Sequence, residues 1–282
     1  MSGLTKLFLL CRLANKKNDG GSYFPIWGTC LGMQEMSTWP LWPIRFNPLS
    51  NCTGMHGVNL ALNFTHQATK SRLFRSLPDY IKKVLRTENV TPNFHNYCLT
   101  VKTYERFSEL RRFYRVSTIN DDVNGLQFVS TMEAYRYPYY GIQYHPEKIN
   151  FMFAKYADSI NRSADAILIS QSFANFFIAE ARKSQQSFKS FEEEGRFLFD
   201  NFKLNYSPTS QTPKYCFNDS DVPRFDPWPL SPQYAFFLLL NGIYRHLYII
   251  YKSTSIVEHP NSWQTYGIVL LTLSFPCKKV VL

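Results

Sequence analysis

Short apolar runs alternate with amphipathic segments through most of this chain. The apolar runs predict strands, which fall at 23–27, 58–63, 97–101, 127–132 and 141–144. Apolar residues at helical spacing predict helices at 30–37, 77–85, 104–114, 164–181 and 192–202. The clearest amphipathic pattern is that of 164–181. Strands and helices mixed in this way favour an α/β layered domain, and no internal repeat is visible.

Two segments depart from this pattern. The stretch from Thr38 to Asn51 contains three prolines and two tryptophans, and proline interrupts both helices and strands. Later in the chain, 234–251 and 268–275 are apolar and aromatic. The first run has the length of a membrane span, but Arg245 near its centre costs about 2.5–3.5 kcal/mol on an insertion scale. We therefore expect a disordered or loosely packed tail in preference to a membrane-associated one.

Composition narrows the possible partners. The chain has 282 residues and a formal net charge of +10, with its basic residues scattered and no nucleic-acid motif beside them. This pattern disfavours a nucleic-acid partner and suits a small polyanionic substrate. The six cysteines include no C-x-x-C pair, so neither a zinc site nor a dense disulfide framework is predicted.

The N-x-S/T sequons favour passage through the secretory pathway. They begin at Asn51, Asn63, Asn89, Asn161, Asn205 and Asn218. The start of the chain does not match them, because the apolar run Leu7–Cys11 is short and Arg12 interrupts it at once. No signal peptide is predicted there.

A cysteine between two glycines is the first candidate for chemistry. Gly28-Thr29-Cys30-Leu31-Gly32 follows a predicted strand and precedes a predicted helix, which is the cysteine form of a nucleophile elbow. Such a turn places the sulfur at a helix N-terminus, where the dipole favours thiolate, and aims the Leu31 amide at a developing oxyanion. On this motif alone, a buried structural cysteine between loop glycines is the favoured interpretation.

A histidine at the end of a separate strand changes that balance. In Gly141-Ile142-Gln143-Tyr144-His145-Pro146-Glu147, His145 is placed to take the Cys30 proton and return it to the leaving group. Glu147 is placed to bond the other ring nitrogen and fix its tautomer. The two motifs together predict a Cys-His-Glu triad.

Longer strings around these motifs resemble the γ-glutamyl hydrolases, within the class I glutamine amidotransferase-like superfamily. The matching strings are Tyr23–Gly32, Leu62–Thr65, Asn93–His95, Ser130–Glu133 and Tyr140–Glu147. The resemblance runs from about Asn15 to Asp219. It implies a three-layer, flavodoxin-like doubly wound sheet.

The resemblance also implies a function. Such enzymes cleave γ-glutamyl bonds of folyl- and antifolyl-polyglutamates through an acyl-enzyme, use no metal or organic cofactor, and act in lysosomes or after secretion. A homodimer is implied as well. The family's additional active-site histidine corresponds to His95, which we expect to line the substrate cleft, and a shared sequon makes Asn63 the leading glycosylation candidate.

The sequence departs from the family pattern at both ends. Family members carry several β-α units before the elbow, whereas residues 1–22 alone precede the elbow strand here. We divide the chain into an atypical N-terminus (1–14), a partial γ-glutamyl hydrolase-like domain (15–219) and an atypical, partly apolar tail (220–282). The expected sheet is therefore N-terminally truncated and lacks a second oxyanion donor, whose loss costs about 2.7–4 kcal/mol of transition-state stabilisation.

Three functions follow from these observations. The first is an active γ-glutamyl hydrolase. The second is a catalytically impaired isoform that only binds polyglutamate or dimerises. The third is a glutaminase or amidotransferase domain, which would use the same triad.

Overall fold

The structure is a computed structural model that describes residues 3–42, 46–153, 157–188 and 190–195, together with three short strands at 204–206, 213–215 and 269–272. It divides into two units. The first contains 27–179 with 271–273, and the second contains 1–26, 180–270 and 274–282.

The helices of the described residues are α1 (Gly3–Asp19), α2 (Leu31–Thr38), α3 (Arg72–Ser76), α4 (Asp79–Thr87), α5 (Val101–Arg106), α6 (Ser108–Phe113), α7 (Glu147–Phe151), α8 (Ala164–Ala181) and α9 (Phe191–Gly195). Single 3-10 turns lie at Trp39–Leu41 and His66–Lys70. The strands are β1 (Ile26–Thr29), β2 (Leu49–Asn51), β3 (His56–Leu60), β4 (Asn63–Phe64), β5 (Thr91–Phe94), β6 (Tyr97–Leu99), β7 (Tyr114–Asp121), β8 (Gln127–Ala134), β9 (Tyr139–Ile142), β10 (Leu204–Tyr206), β11 (Pro213–Tyr215) and β12 (Val269–Thr272).

The main sheet has the strand order β12-β1-β9-β8-β7-β4. Its pairs from β4 to β9 are antiparallel, and β7 and β8 form the long central hairpin. The antiparallel pairs β2–β6 and β3–β5 form two small sheets. The order brings the end of β1 beside the end of β9, so the elbow cysteine and the histidine strand lie next to each other.

An aromatic cluster buries one face of β1. Trp27 is 4% exposed, and its ring centroid lies 5.5 Å from that of Phe177 and 6.3 Å from that of Phe173, both on α8. Large aromatic side chains contribute most to core energetics because each buries a large apolar area. The contact fixes the strand that carries the elbow.

The second unit is described by local contacts of its own. Asn18, near the end of α1, bonds through Nδ2 to the Phe24 carbonyl and through Oδ1 to the Phe24 amide, both at 3.0 Å. Lys17 Nζ donates to Gln186 Oε1 at 3.2 Å. The paired β10 and β11 belong to the same unit.

The α/β class is confirmed, and the predicted helix 164–181 coincides with α8. The single helix predicted at 104–114 is wrong. The chain instead forms α5 and α6, because Phe107 between them adopts an extended conformation and packs against Phe46 at 4.6 Å. Tyr114, the last residue of the predicted helix, is the first residue of β7.

The segment from Thr38 to Asn51, for which no regular element is predicted, contains a 3-10 turn and β2. The apolar run 234–251 lies outside the described residues, as does most of 220–282. Among the residues that the structure describes, no helix is long and apolar enough to cross a membrane.

Candidate active site

Cys30 occupies the tight turn between β1 and α2. Its φ of 53° makes it the single non-glycine residue with positive φ in the described part of the chain. The Cys30 amide donates to the Ile142 carbonyl at 2.7 Å, which ties the turn to the end of β9. A backbone strained in this way is typical of functional sites, where the surroundings hold an unfavourable conformation in place.

Gly28 is required by the same turn. A Cβ atom added there would lie 2.7 Å from the Gly32 carbonyl carbon, 2.8 Å from the Met33 amide nitrogen and 2.5 Å from Met36 Sδ. Two of these neighbours are backbone atoms that cannot move aside. The strand–cysteine–helix order predicted from the glycine spacing is therefore present, whereas the role of Cys30 as nucleophile stays a prediction.

His145 and Glu147 form a close pair where the chain leaves β9 and enters α7. Nδ1 of His145 lies 2.6 Å from Oε1 of Glu147, and the histidine is 3% exposed. Burial alone lowers the pKa of His145, but the Glu147 carboxylate and the Cys30 sulfur, which hydrogen bonds the ring, raise it to about 9. Burial raises the pKa of Glu147, yet the imidazolium beside it holds that pKa below its ordinary value. The pair is thus ionised at neutral pH.

Two glutamines that the sequence analysis missed connect the elbow to its surroundings. Gln143 Nε2 donates to Cys30 Sγ at 3.5 Å. Gln34 Nε2 donates to Gln143 Oε1 at 3.2 Å and to the Tyr97 carbonyl at 2.6 Å. Both side chains are buried. The signal was their position, since Gln34 lies one helical turn after Cys30 and Gln143 lies two residues before His145.

His95 is buried within its own segment. It is 4% exposed, with Nδ1 at 3.0 Å from the Tyr97 carbonyl oxygen and Nε2 at 3.2 Å from Asn93 Oδ1. Burial and the charge of His145 lower the pKa of His95 to about 3, so its ring is neutral. The charge of His145 therefore acts on the His95 ring, although that ring is packed against Phe128. Substrate binding by His95 stays a prediction.

Phe94 and Lys148 also lie near the site. The Phe94 carbonyl oxygen lies 4.0 Å from Cys30 Sγ, and its ring meets that of His145 edge-on at 6.2 Å. The Lys148 ammonium lies 5.3 Å from the Phe94 ring centroid. The backbone of Phe94 thus lies beside the sulfur, while its ring contacts His145 and the Lys148 ammonium.

Leu31 is the first residue of α2. The amides of a first helical turn have no partner within the helix, so the Leu31 N–H is of the kind that an oxyanion can use. Its role as oxyanion donor stays a prediction.

A disulfide that the sequence did not identify joins Cys52, directly after β2, to Cys98 of β6. Cys52 and Cys98 are bonded across 46 positions of sequence, while Cys11 and Cys30 are free. Cys52 also donates its amide to the Asn96 carbonyl at 2.8 Å. The bond therefore holds the segment that contains His95 and the Tyr97 carbonyl.

The described residues contain no group of three or more His, Cys, Asp and Glu side chains arranged to hold a metal ion. What they do contain is a cysteine on a strained strand-to-helix turn next to a buried histidine–carboxylate pair. This combination in an α/β fold defines the class of proteins with a cysteine nucleophile elbow.

Comparison with known proteins finds relatives named γ-glutamyl hydrolase. The chain is 39% identical to rat γ-glutamyl hydrolase over 184 residues, which are 65% of this chain and 56% of the relative. It is 38% identical to the human enzyme over 199 residues, 71% of this chain and 61% of the relative. With Dictyostelium discoideum γ-glutamyl hydrolase B it shares 34% identity over 205 residues, 73% of this chain and 55% of the relative. This chain is a homologue of the γ-glutamyl hydrolases and spans between 55% and 61% of the length of these three.

No protein-family model matches the chain. Among solved structures, a putative GMP synthase component from Thermoplasma acidophilum is similar at 16% identity and a TM-score of 0.34, covering 62% of this chain and 67% of that one. A likeness at this level supports no inference about fold or function.

Proposed function

We propose that this protein is a cysteine hydrolase that cleaves γ-glutamyl bonds of folyl- and antifolyl-polyglutamates. The observation that carries the proposal is the strained Cys30 beside the His145–Glu147 pair. The γ-glutamyl hydrolase names of its relatives supply the substrate class.

The mechanism begins with Cys30 and His145. A pKa of about 9 keeps His145 protonated at neutral pH, and a cation beside a cysteine favours the thiolate. The sulfur attacks the γ-carbonyl carbon, and the carbonyl electron pair moves onto oxygen, towards the Leu31 amide. When the carbon–nitrogen bond breaks, His145 gives its proton to the leaving amine and an acyl-enzyme remains.

Water completes the cycle. Neutral His145 takes a proton from the water that attacks the thioester, and Cys30 leaves as thiolate paired again with the imidazolium. Glu147 holds the ring through Nδ1, so Nε2 remains the nitrogen that exchanges protons. Every step uses a group of this chain or water.

Secretion or a lysosomal location, and a homodimer, are part of the same proposal. A disulfide such as Cys52–Cys98 persists in oxidising compartments and is rare in reducing ones. The six sequons also support passage through the secretory pathway. The homodimer is supported by the family resemblance.

The test is turnover by the purified 282-residue chain. Pteroyl-tri-γ-glutamate should be shortened, and Cys30→Ser should abolish the reaction. Cys11→Ser is the matched control, because Cys11 is the other free, buried cysteine of the described residues. Equal rates for wild type and Cys30→Ser would contradict the proposal.

The same preparation separates the alternatives. Release of ammonia from free glutamine, without cleavage of the pteroyl substrate, would identify a glutaminase. Binding of the pteroyl substrate without turnover, in a chain that circular dichroism shows to be folded, would identify a binding protein.

A further inference from the structure

We infer that Lys148 forms a carboxylate-binding subsite beside Cys30, which takes the α-carboxylate of the glutamate whose γ-carbonyl is attacked. The inference rests on the proposed function and assigns the group that selects γ-linked substrates.

The first argument is position. Lys148 follows Glu147 in α7, and its side chain is half-buried. Its ammonium lies 3.8 Å from Met152 Sδ and 5.3 Å from the Phe94 ring centroid. Phe94 is also the residue whose carbonyl oxygen lies 4.0 Å from Cys30 Sγ. The Phe94 backbone therefore lies beside the nucleophile, and the Phe94 ring lies between the His145 ring at 6.2 Å and the Lys148 ammonium.

The second argument is charge. Among the residues that the structure describes, no carboxylate lies within ion-pair distance of the Lys148 ammonium. The neighbouring carboxylate, Glu147, is engaged with His145 at 2.6 Å. Two arginines of the same unit differ in this respect, since Arg72 and Arg115 lie 3.0 and 4.0 Å from the Glu133 carboxylate. The Lys148 charge acts on the nearby His145 and Glu147, whose pKa values it lowers, but no described carboxylate bonds its ammonium, which leaves it available to a ligand.

The third argument is the chemistry of the substrate. A γ-linked glutamate keeps a free α-carboxylate a few bonds from the carbonyl carbon under attack, whereas an α-linked one has used that group in the peptide bond. An ammonium on the residue after Glu147, held against the ring that also meets His145, favours the first arrangement. Lysine supplies a compact point charge on a flexible stem, which suits a carboxylate reached from more than one substrate conformation.

The test compares two substrates and two variants. Pteroyl-di-γ-glutamate is compared with its analogue in which the first glutamate carries an α-carboxamide. Lys148→Met keeps the length of the side chain and removes its charge, and Lys148→Arg keeps the charge. Lys102→Met, on the exposed surface of α5, is the control for loss of a lysine charge.

The wild-type protein should show a higher kcat/KM for pteroyl-di-γ-glutamate than for its α-carboxamide analogue. Lys148→Met should lower kcat/KM for the carboxylate substrate about 10- to 100-fold, mainly through KM, because a hydrogen-bonded charge pair is lost. The same variant should leave the carboxamide nearly unchanged, and Lys148→Arg should recover part of the loss. Equal losses on both substrates, or none, would overturn the subsite.

Binding separates this inference from the proposed function. Calorimetric affinities for the carboxylate and carboxamide compounds are measured in the Cys30→Ala background, with and without Lys148→Met. A selective weakening of carboxylate binding supports the subsite even if the wild-type chain shows no turnover. Turnover with no such selectivity leaves the hydrolase standing and removes the subsite.

Discussion

At the scale of single residues, steric constraints determine which residues can form the turn between β1 and α2. Gly28 lets the backbone of α2 pass over β1, and Cys30 adopts a conformation that its side chain disfavours. Neither feature depends on the identity of a substrate. Both are set by how closely a strand and a helix approach when one residue joins them.

Gly28→Ala should therefore destabilise the fold. The new Cβ would overlap backbone atoms at 2.7 and 2.8 Å, so we expect a loss of about 3 kcal/mol, at the upper end of overpacking penalties. Urea unfolding measures it. Gly125→Ala is the comparison, since its φ is +78° but no atom lies within 4 Å of the added Cβ, and it should lose only about 1 kcal/mol. Equal losses would contradict the steric account.

The titration of His145 gives a second prediction. Its pKa of about 9 lies above the ordinary 6.5, so its contribution to stability is complete below about pH 6.5 and is lost as the pH rises through 9. Unfolding free energy should fall over that window. The Glu147→Gln variant lacks the carboxylate that raises the pKa of His145, while the burial that lowers this pKa remains. The pKa of His145 measured by NMR should therefore fall below the wild-type value. An unchanged pKa would exclude Glu147 as the cause.

At the scale of elements, the site depends on β6, which contributes no catalytic side chain. The Tyr97 carbonyl, at the start of β6, accepts from Gln34 of α2 and lies beside His95. β6 pairs with β2 through three residues and through the Cys52–Cys98 disulfide. A short strand pair with a covalent link thus holds one wall of the site.

Loss of this disulfide should destabilise the protein. A crosslink that closes a loop of 46 residues contributes about 4 kcal/mol by the chain-entropy relation. Cys52→Ser with Cys98→Ser should lower the midpoint of urea unfolding accordingly, and wild type in reductant should behave like the double variant. The Cys11→Ser variant retains the Cys52–Cys98 disulfide, so reductant should still lower its unfolding midpoint.

At the scale of the whole molecule, the sequons differ in what their side chains do. Asn51, Asn63 and Asn89 are exposed. Asn161 Nδ2 instead donates to the Asn89 carbonyl at 2.9 Å, and Nδ2 is the atom that would carry a glycan. The side chains of Asn205 and Asn218 lie outside the described residues.

We therefore expect glycans at Asn63, and not at Asn161, when the chain passes through the secretory pathway. Glycopeptide mass spectrometry after endoglycosidase treatment measures the occupancy of each. Asn161 occupied and Asn63 empty would be the contrary result.

Much of the fold could be predicted because its signals are local. Helix α8 buries Ala166, Ile169, Phe173, Phe176 and Phe177 at helical spacing, with Ser170 and Glu180 as polar exceptions, and the elbow is specified by three closely spaced glycine and cysteine positions. Other features depend on distant partners. The break at Phe107 comes with packing on Phe46, and nothing in six cysteines says that Cys52 pairs with Cys98.

The candidate site divides in the same way. The Cys30, His145 and Glu147 motifs were visible because each has a characteristic spacing. Gln34 and Gln143 were missed because their nearness in sequence to Cys30 and His145 is a weak signal. Their importance appears only when β6, α2 and β9 come together.

The positive φ of Cys30 has an evolutionary consequence. A non-glycine residue held in such a conformation costs about 1–3 kcal/mol, a penalty that glycine would largely avoid. Selection on folding alone should therefore enrich glycine at position 30, whereas selection on turnover should keep cysteine. In a population that no longer needs the reaction, this is the position where we expect the ancestral residue to disappear early, with the surrounding fold intact.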